Sequence, residues 1–409
     1  MKAFKILRAA AILLLCCMFA AGCYGAPGPM PTEEPTEAAT QAPTQAPTEA
    51  PTEEPTPEPT LSPEARLIRD KMDGMTVREK IGQLVMFAVP GTSATVPSAY
   101  LELIDEYSVG NIIVVTGNFD KNDGSGGFDS AAAFVRALDS HAAPLPRLYA
   151  ADVEGGSVVR FSWEPKLPSA RELANWDEGD IKELFRSSAE KLRSCGINLD
   201  LAPVCDVAED SPVLGTRVFS GDCEKTARCC RAVIEGLREG GCASCLKHFP
   251  GHGAADVDSH EKTPVIWNSA QELYENDIEA FRLALSAEPD CVMTAHVLYP
   301  AIDEGDIASM SQTIILNILR GELGFEGVVI SDDMLMGGLK ESFPIEEAPV
   351  KFILCGGDIV LCGADIESQR TVLEALLRAY ELRIITEERL DESVYRILKL
   401  KLDLRVWQP

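Results

Sequence analysis

One short segment holds three of the chain's five histidines: Lys247-His248-Phe249-Pro250-Gly251-His252-Gly253, then Asp256 and Asp258-Ser259-His260. Imidazoles and carboxylates this close suggest two chemistries. The first is a metal site, since His and Asp are common ligands. The 248/252 spacing mimics one helix face, but Pro250, Gly251 and Gly253 break a helix there. No Glu stands beside His248 for a metallopeptidase mechanism. The second chemistry is proton transfer. Asp258, two residues from His260, can orient that ring and favour its charged form. His260 is then a candidate general acid/base, although a lone loop histidine is by default only solvated. A second segment, Val329-Ile330-Ser331-Asp332-Asp333-Met334-Leu335-Met336, runs a β-branched strand into two adjacent carboxylates. Strand side chains alternate, so one faces inward and the other elsewhere. Asp332 there can attack an anomeric carbon; Asp333 is expected to cap a helix. A third group is Asp152-Val153-Glu154-Gly155-Gly156 through Arg160, with Arg217 later. Asp, Arg and Lys in one pocket suit sugar hydroxyls and an amide carbonyl. Alone, the Gly-Gly pair is a weak turn signal.

These groups need a scaffold that brings distant segments together. Apolar runs at Gln83–Val89, Asn111–Thr116, Arg147–Asp152, Asn198–Val204, Ala243–His248, Cys291–His296, Gly327–Asp332 and Asp358–Cys362 read as strands. Most are continuous rather than alternating, as in parallel strands covered on both faces. Amphipathic stretches lie between them, among them Asp180–Cys195, Glu224–Glu239, Ala270–Ser286 and Ser311–Leu323. Alternation of this kind predicts an α/β fold, a (β/α)8 TIM-type barrel, with an open doubly wound sheet as the alternative. No dinucleotide or P-loop fingerprint favours the open sheet. Asp152, Asp206, Lys247-His248, His296 and Asp332 fall at or just after five separate strand runs, where barrel active sites lie. Any one of them could simply pair or cap; five together are hard to ascribe to packing.

The ends and the composition set the context. Lys2, Lys5 and Arg8 precede the apolar run Ala9–Ala21, too short to span a bilayer. A secretory signal over residues 1–22 is expected. Ala20-Ala21-Gly22-Cys23 resembles a lipobox, with Cys23 lipidated; plain secretion is the alternative. Residues 23–62 read as a disordered Pro/Thr-rich linker, since 27–60 hold ten prolines and a Thr every fourth residue from Thr32 to Thr60. Residues 63–409 then form one catalytic barrel. The formal charge is −27, from 37 Lys+Arg against 64 Asp+Glu, and most of the acidity lies in the folded part. That argues against a nucleic-acid partner and against binding anionic lipid by surface charge. Membrane contact is expected through the lipid alone, on the outer face of a bacterial cytoplasmic membrane. Ten of the 13 cysteines lie in the barrel, many in apolar patterns, and are expected mostly as reduced core thiols.

The motifs Lys-His-Phe-Pro-Gly-His-Gly followed by Asp-Ser-His, then Ser-Asp-Asp-x-x-Met, resemble family 3 of the glycoside hydrolases, and more narrowly its bacterial β-N-acetylhexosaminidases. The likeness runs from about Met75 to Ala364. It implies Asp332 as nucleophile, and His260 as acid/base tuned by Asp258. It implies Asp152, Arg160, Arg217, Lys247 and His248 as binders of a terminal N-acetylglucosamine, with Asp206 and His296 in support. Val153 stands where members often have Gln, and Met334 where Leu is usual. Many members take a Glu acid/base from a second domain; with about 45 residues after Ala364, the acid is expected from the barrel. The expected activity is retaining hydrolysis of terminal β-N-acetylglucosamine from peptidoglycan fragments or chitooligosaccharides. No cofactor or metal is implied, and a monomer is expected. A β-glucosidase, a β-xylosidase or a phosphorylase of the same family stays open, as does a solute-binding lipoprotein.

Overall fold

The computed structural model describes residues 62–141, 143, 145–259 and 261–407. The expected signal, the lipidation site Cys23, almost all of the linker, and His260 lie outside the described residues. The first helix, Pro63–Asp73, is opened by Ser62, whose side chain accepts the Ala65 N–H.

Eight parallel strands form the centre: β1 Val85–Ala88, β2 Asn111–Ile113, β3 Leu148–Ala151, β4 Leu199–Asp200, β5 Ala243–Phe249, β6 Cys291–Thr294, β7 Val328–Ser331 and β8 Val360–Cys362. They pair in chain order from β1 to β7, and β8 pairs β1 with Val85 opposite Val360. A bridge between Ile330 and Ile359 joins β7 to β8 and closes the ring. Closure leaves no sheet edge open. Strand positions are buried throughout, which is why the runs are continuously apolar. Helices follow the strands and form the outer layer; Glu178–Ser194 and Cys223–Glu239 lie side by side after β3 and β4. The expected (β/α)8 barrel is the fold found.

Three local departures have physical causes. The run Asn198–Val204 forms a ladder only at Leu199–Asp200, with one isolated bridge from Val204 to Lys247. Pro203 has no N–H to continue it. The stretch Ala270–Ser286 opens with a Ser269/Glu272 capping box, then passes through a π turn at Leu273–Asp277 before Ile278–Ala284. One extra residue in that turn changes which side chain faces inward, and Asp277 is buried. A Cβ on Gly251, at φ +139°, would stand 2.5 Å from Asp277 Oδ1. Only glycine lets that loop pass so close. Thr313–Glu322 is likewise a π-helix.

Candidate active site at the strand C-termini

The site begins at β3. Asp152 follows the last strand residue, and the chain then folds back as a hairpin, Val153–Gly155 against Val158–Val159. Gly155 and Gly156, at φ +98° and +60°, make the turn. The hairpin returns Arg160 onto Asp152 at 2.5 Å. From β5, Lys247 reaches the same carboxylate at 3.1 Å. Its shorter contact is with Glu154, at 2.6 Å. Glu154 in turn grips Arg217 with both oxygens, at 2.7 and 2.9 Å. Lys247 and Glu154 are almost fully buried. Burial opposes both charges, but each outweighs it for the other: Lys247 is held above its ordinary pKa by Glu154 and Asp152, and Glu154 below its own by Lys247 and Arg217. Asp152 is likewise held low against burial by Lys247 and Arg160.

Glu154 was not singled out from the sequence, yet it joins two of the expected binding residues. A signal existed: Asp152-x-Glu154 puts two carboxylates on one side of an extended chain. Arg217 therefore reaches the cluster through Glu154 rather than through Asp152.

Strand β5 carries a register shift between Lys247 and Phe249, and the Lys247–His248 peptide is cis. A bulge re-aims successive side chains, and both Lys247 and His248 meet carboxylates at the barrel mouth. Asp206, fully buried after β4, lies 2.6 Å from His248 Nδ1. Its other oxygen accepts the backbone N–H groups of His248 at 3.3 Å and His252 at 2.6 Å. Burial opposes the Asp206 charge, but His248 and the His252 contacts hold its carboxyl below the usual range.

At the end of β7, Asp332 is half-buried and its Oδ1 accepts the Asp333 N–H at 2.8 Å. Burial would raise its pKa, but His248, the Asp333 N–H and Lys247 hold the carboxyl below the usual carboxylate range. Asp332 is thus a half-buried carboxylate whose neighbours favour its charged form. Asp333 differs from expectation. The helix Gly337–Ser342 starts after Met336, and Asp333 instead accepts N–H groups from Leu335 and Gly363, both at 2.9 Å. It binds β7's turn to β8 because the chain does not become helical until four residues later. His296, fully buried after β6, has Nδ1 2.7 Å from Ser309 Oγ and Nε2 3.2 Å from the Asp333 carbonyl. Burial pushes its pKa down, so a neutral ring donates to the carbonyl and accepts from the serine. It supports the turn carrying Asp332.

Asp258 lies exposed on the loop after β5. The structure does not place it in the Asp152–Lys247–Glu154 cluster. The buried Ser259 next to it has its hydroxyl 3.2 Å from His252 Nε2. Its carbonyl accepts the Gly338 N–H at 3.1 Å. The His248 and His252 rings meet edge to face, 5.9 Å apart. Among the described residues, no three His, Cys, Asp or Glu side chains converge as a ligand set for a metal. The ten barrel cysteines are unpaired, and all but Cys223 are buried.

A closed parallel barrel with paired carboxylates, a buried ammonium, guanidinium groups and imidazoles at its C-terminal mouth is a barrel enzyme built for polar, hydroxyl-rich substrates. Comparison with known proteins narrows this. Residues 76–400 match the model of the glycosyl hydrolase family 3 N-terminal domain. A β-hexosaminidase of Idiomarina loihiensis is 33% identical over 303 residues, covering 73% of this chain and 88% of that protein. β-Hexosaminidase LpqI of Mycobacterium tuberculosis is 32% identical over 343 residues, covering 80% and 83%. A solved glycoside hydrolase family 3 β-N-acetylglucosaminidase from Paenibacillus sp. superposes with a TM-score of 0.75 at 33% identity, covering 81% of this chain and 63% of that one. The chain spans 56% of the length of β-hexosaminidase A of Pseudoalteromonas piscicida, to which it is 31% identical. The chain belongs to glycosyl hydrolase family 3, and the curated relatives it resembles are named as β-hexosaminidases.

Proposed function

We propose that this protein removes terminal β-linked N-acetylglucosamine from a glycan in two displacements, with retention of configuration. The observation that carries the reading is Asp332: a half-buried carboxylate at the end of β7, with His248 among the groups that hold it below the usual carboxylate range. In the first step an Asp332 oxygen bonds to the anomeric carbon as the glycosidic C–O bond breaks. His260 gives the departing oxygen its proton, and Asp258 stabilises the imidazolium. In the second step a water oxygen attacks the same carbon, neutral His260 takes its proton, and Asp332 leaves as carboxylate. Asp152, Arg160, Arg217, Lys247 and His248 would hold the sugar, with Asp206 and His296 as supports. The relatives named for hexosaminidase and β-N-acetylglucosaminidase activity support the choice of sugar. Peptidoglycan fragments and chitooligosaccharides both end in it. We further propose that the protein is exported and anchored through Cys23 to the outer face of the cytoplasmic membrane, where either could be met.

The test is release of p-nitrophenol from p-nitrophenyl N-acetyl-β-glucosaminide, beside the β-glucoside and β-xyloside. Turnover of the N-acetyl compound well above the other two supports the reading. Preference for the glucoside or xyloside, or no turnover of any, refutes it. Sugar 1-phosphate as the main product in phosphate buffer would replace hydrolysis by phosphorolysis. Labelling with radioactive palmitate tests the anchor: no label on Cys23 removes it.

A further inference from the structure

The loop after β5 has an unusual burial pattern. Ala254, Asp256, Asp258 and Glu261 are exposed, but Ser259 is 4% exposed. Its side chain reaches back to β5's own turn, and its carbonyl reaches across to Gly338 beyond β7. Those are the segments that follow His248 and Asp332. The buried partner on the β5 side is His252, itself 3% exposed, with its backbone N–H on Asp206.

We propose that His252 is a positioning residue: its backbone N–H is seated on the buried Asp206, and its ring ties down Ser259 and so holds the stretch of sequence between Asp258 and His260. The inference rests on the acid/base roles proposed above. The protonation state follows from the contacts. Burial first, and then the neighbouring His248, keep His252 neutral. Its Nδ1 is buried and meets no protein partner, while Nε2 faces the serine hydroxyl. A buried N–H with no acceptor is rarer and costlier than a bare lone pair. The proton therefore sits on Nε2 and donates to Ser259 Oγ. Asp206 then serves both halves of the site, fixing His248 beside Asp332 and, through His252, the acid/base loop.

The test compares leaving groups. In kcat/KM, a 2,4-dinitrophenyl N-acetyl-β-glucosaminide needs no protonation as it departs, whereas the phenyl glycoside does. Misplacing a general acid costs roughly 10- to 100-fold where the acid is needed. Ser259→Ala and His252→Ala are expected to lose that much on the phenyl substrate and less than about threefold on the dinitrophenyl one. His252→Gln puts an amide N–H near the position of Nε2 and is expected to restore most of the phenyl activity. If His252→Ala does not fold by circular dichroism, Ser259→Ala, which removes a single oxygen, decides. Equal losses on both substrates, or no loss on either, overturn the inference while leaving the hydrolase reading intact. A wild-type protein inactive on both substrates overturns both.

Discussion

The two ends of this barrel both bury charge, and they treat it differently. At the floor, Asp358 is fully buried and saturated. It meets Arg320 at 2.6 Å, Arg396 at 3.1 Å, Ser393 Oγ at 2.7 Å and the Val329 N–H at 2.9 Å. Lys401, also fully buried, donates to Gln83 Oε1 at 2.6 Å and the Gly110 carbonyl at 3.0 Å. At the mouth, Asp332 takes one N–H, and Arg160 leaves its Nε without a partner. Arg320 at the floor also leaves a buried Nε unpaired, so an unpaired donor alone does not mark the ligand site; the mark is the carboxylate, saturated at Asp358 and, among the described residues, taking one N–H at Asp332. Size does not mark it. A hollow of about 1740 Å³ opens at the floor, among residues that include Arg238, Asp290, Arg396 and Asp403. Charges of both signs line it, and no strand C-terminus points into it.

The sharpest way to break this contrast is at Asp332. Asp332→Ala should lower kcat by at least about 10⁴-fold on an aryl N-acetylglucosaminide, with an unchanged circular dichroism spectrum. Residual turnover near the wild-type rate would move the nucleophile elsewhere. Glu154→Gln comes next. It keeps the shape but takes the charge from between Lys247 and Arg217. A drop in kcat/KM of about 100-fold is expected, carried largely by KM, since the sugar-holding cations lose their alignment. A loss confined to kcat would mean that Glu154 acts on the chemistry instead.

The mouth was more legible from the sequence than its inner connections. Eight apolar runs mark eight strands, because strands covered on both faces are mostly apolar. Asp332 and Lys247-His248 announced themselves because charge at the end of such a run needs a reason. What the sequence hid were pairings across the fold. Glu154 and Arg217 are 63 residues apart, and periodicity carries no information on such a contact. The Gly155-Gly156 turn looked weak because its meaning depends on Arg160 returning to Asp152. Asp333 departs from the expected helix cap because an Asp ahead of a helix can serve another turn. The π turn at Leu273–Asp277 leaves no mark in an amphipathic pattern.

At the floor the expected effects move from activity to stability. Asp358→Asn leaves Arg320, Arg396 and Arg389, the last 3.7 Å away, with less compensating charge. Breaking a buried pair costs about 3–5 kcal/mol, and an amide that keeps its hydrogen bonds should fall near the lower figure. Urea unfolding should read the loss, while kcat/KM at 25 °C stays at the wild-type value. A matching loss of kcat/KM in the folded variant would erase the functional distinction between the two ends.

The last contrast separates the ends by pH. Asp277, beneath the mouth loop, is pushed up to about 7, first by burial and then by Asp206. Lys401, at the floor, is pushed down to about 7 by burial and then by Arg147. Unfolding frees both groups, to about 4 and about 10.4. Between those values and 7 the two states bind different numbers of protons, and stability changes by up to about 1.4 kcal/mol per pH unit. For Asp277 the native state holds the extra proton, so stability falls as pH rises from about 4 to about 7. For Lys401 the unfolded state holds it, so stability rises from about 7 to about 10. Urea midpoints measured across pH should therefore diverge in separate windows. Asp277→Asn should remove the acid-side slope and leave the alkaline one. Lys401→Met should do the reverse. If either variant flattened both windows, the two ends would be electrostatically coupled through the barrel, and their separate treatment of charge would fail.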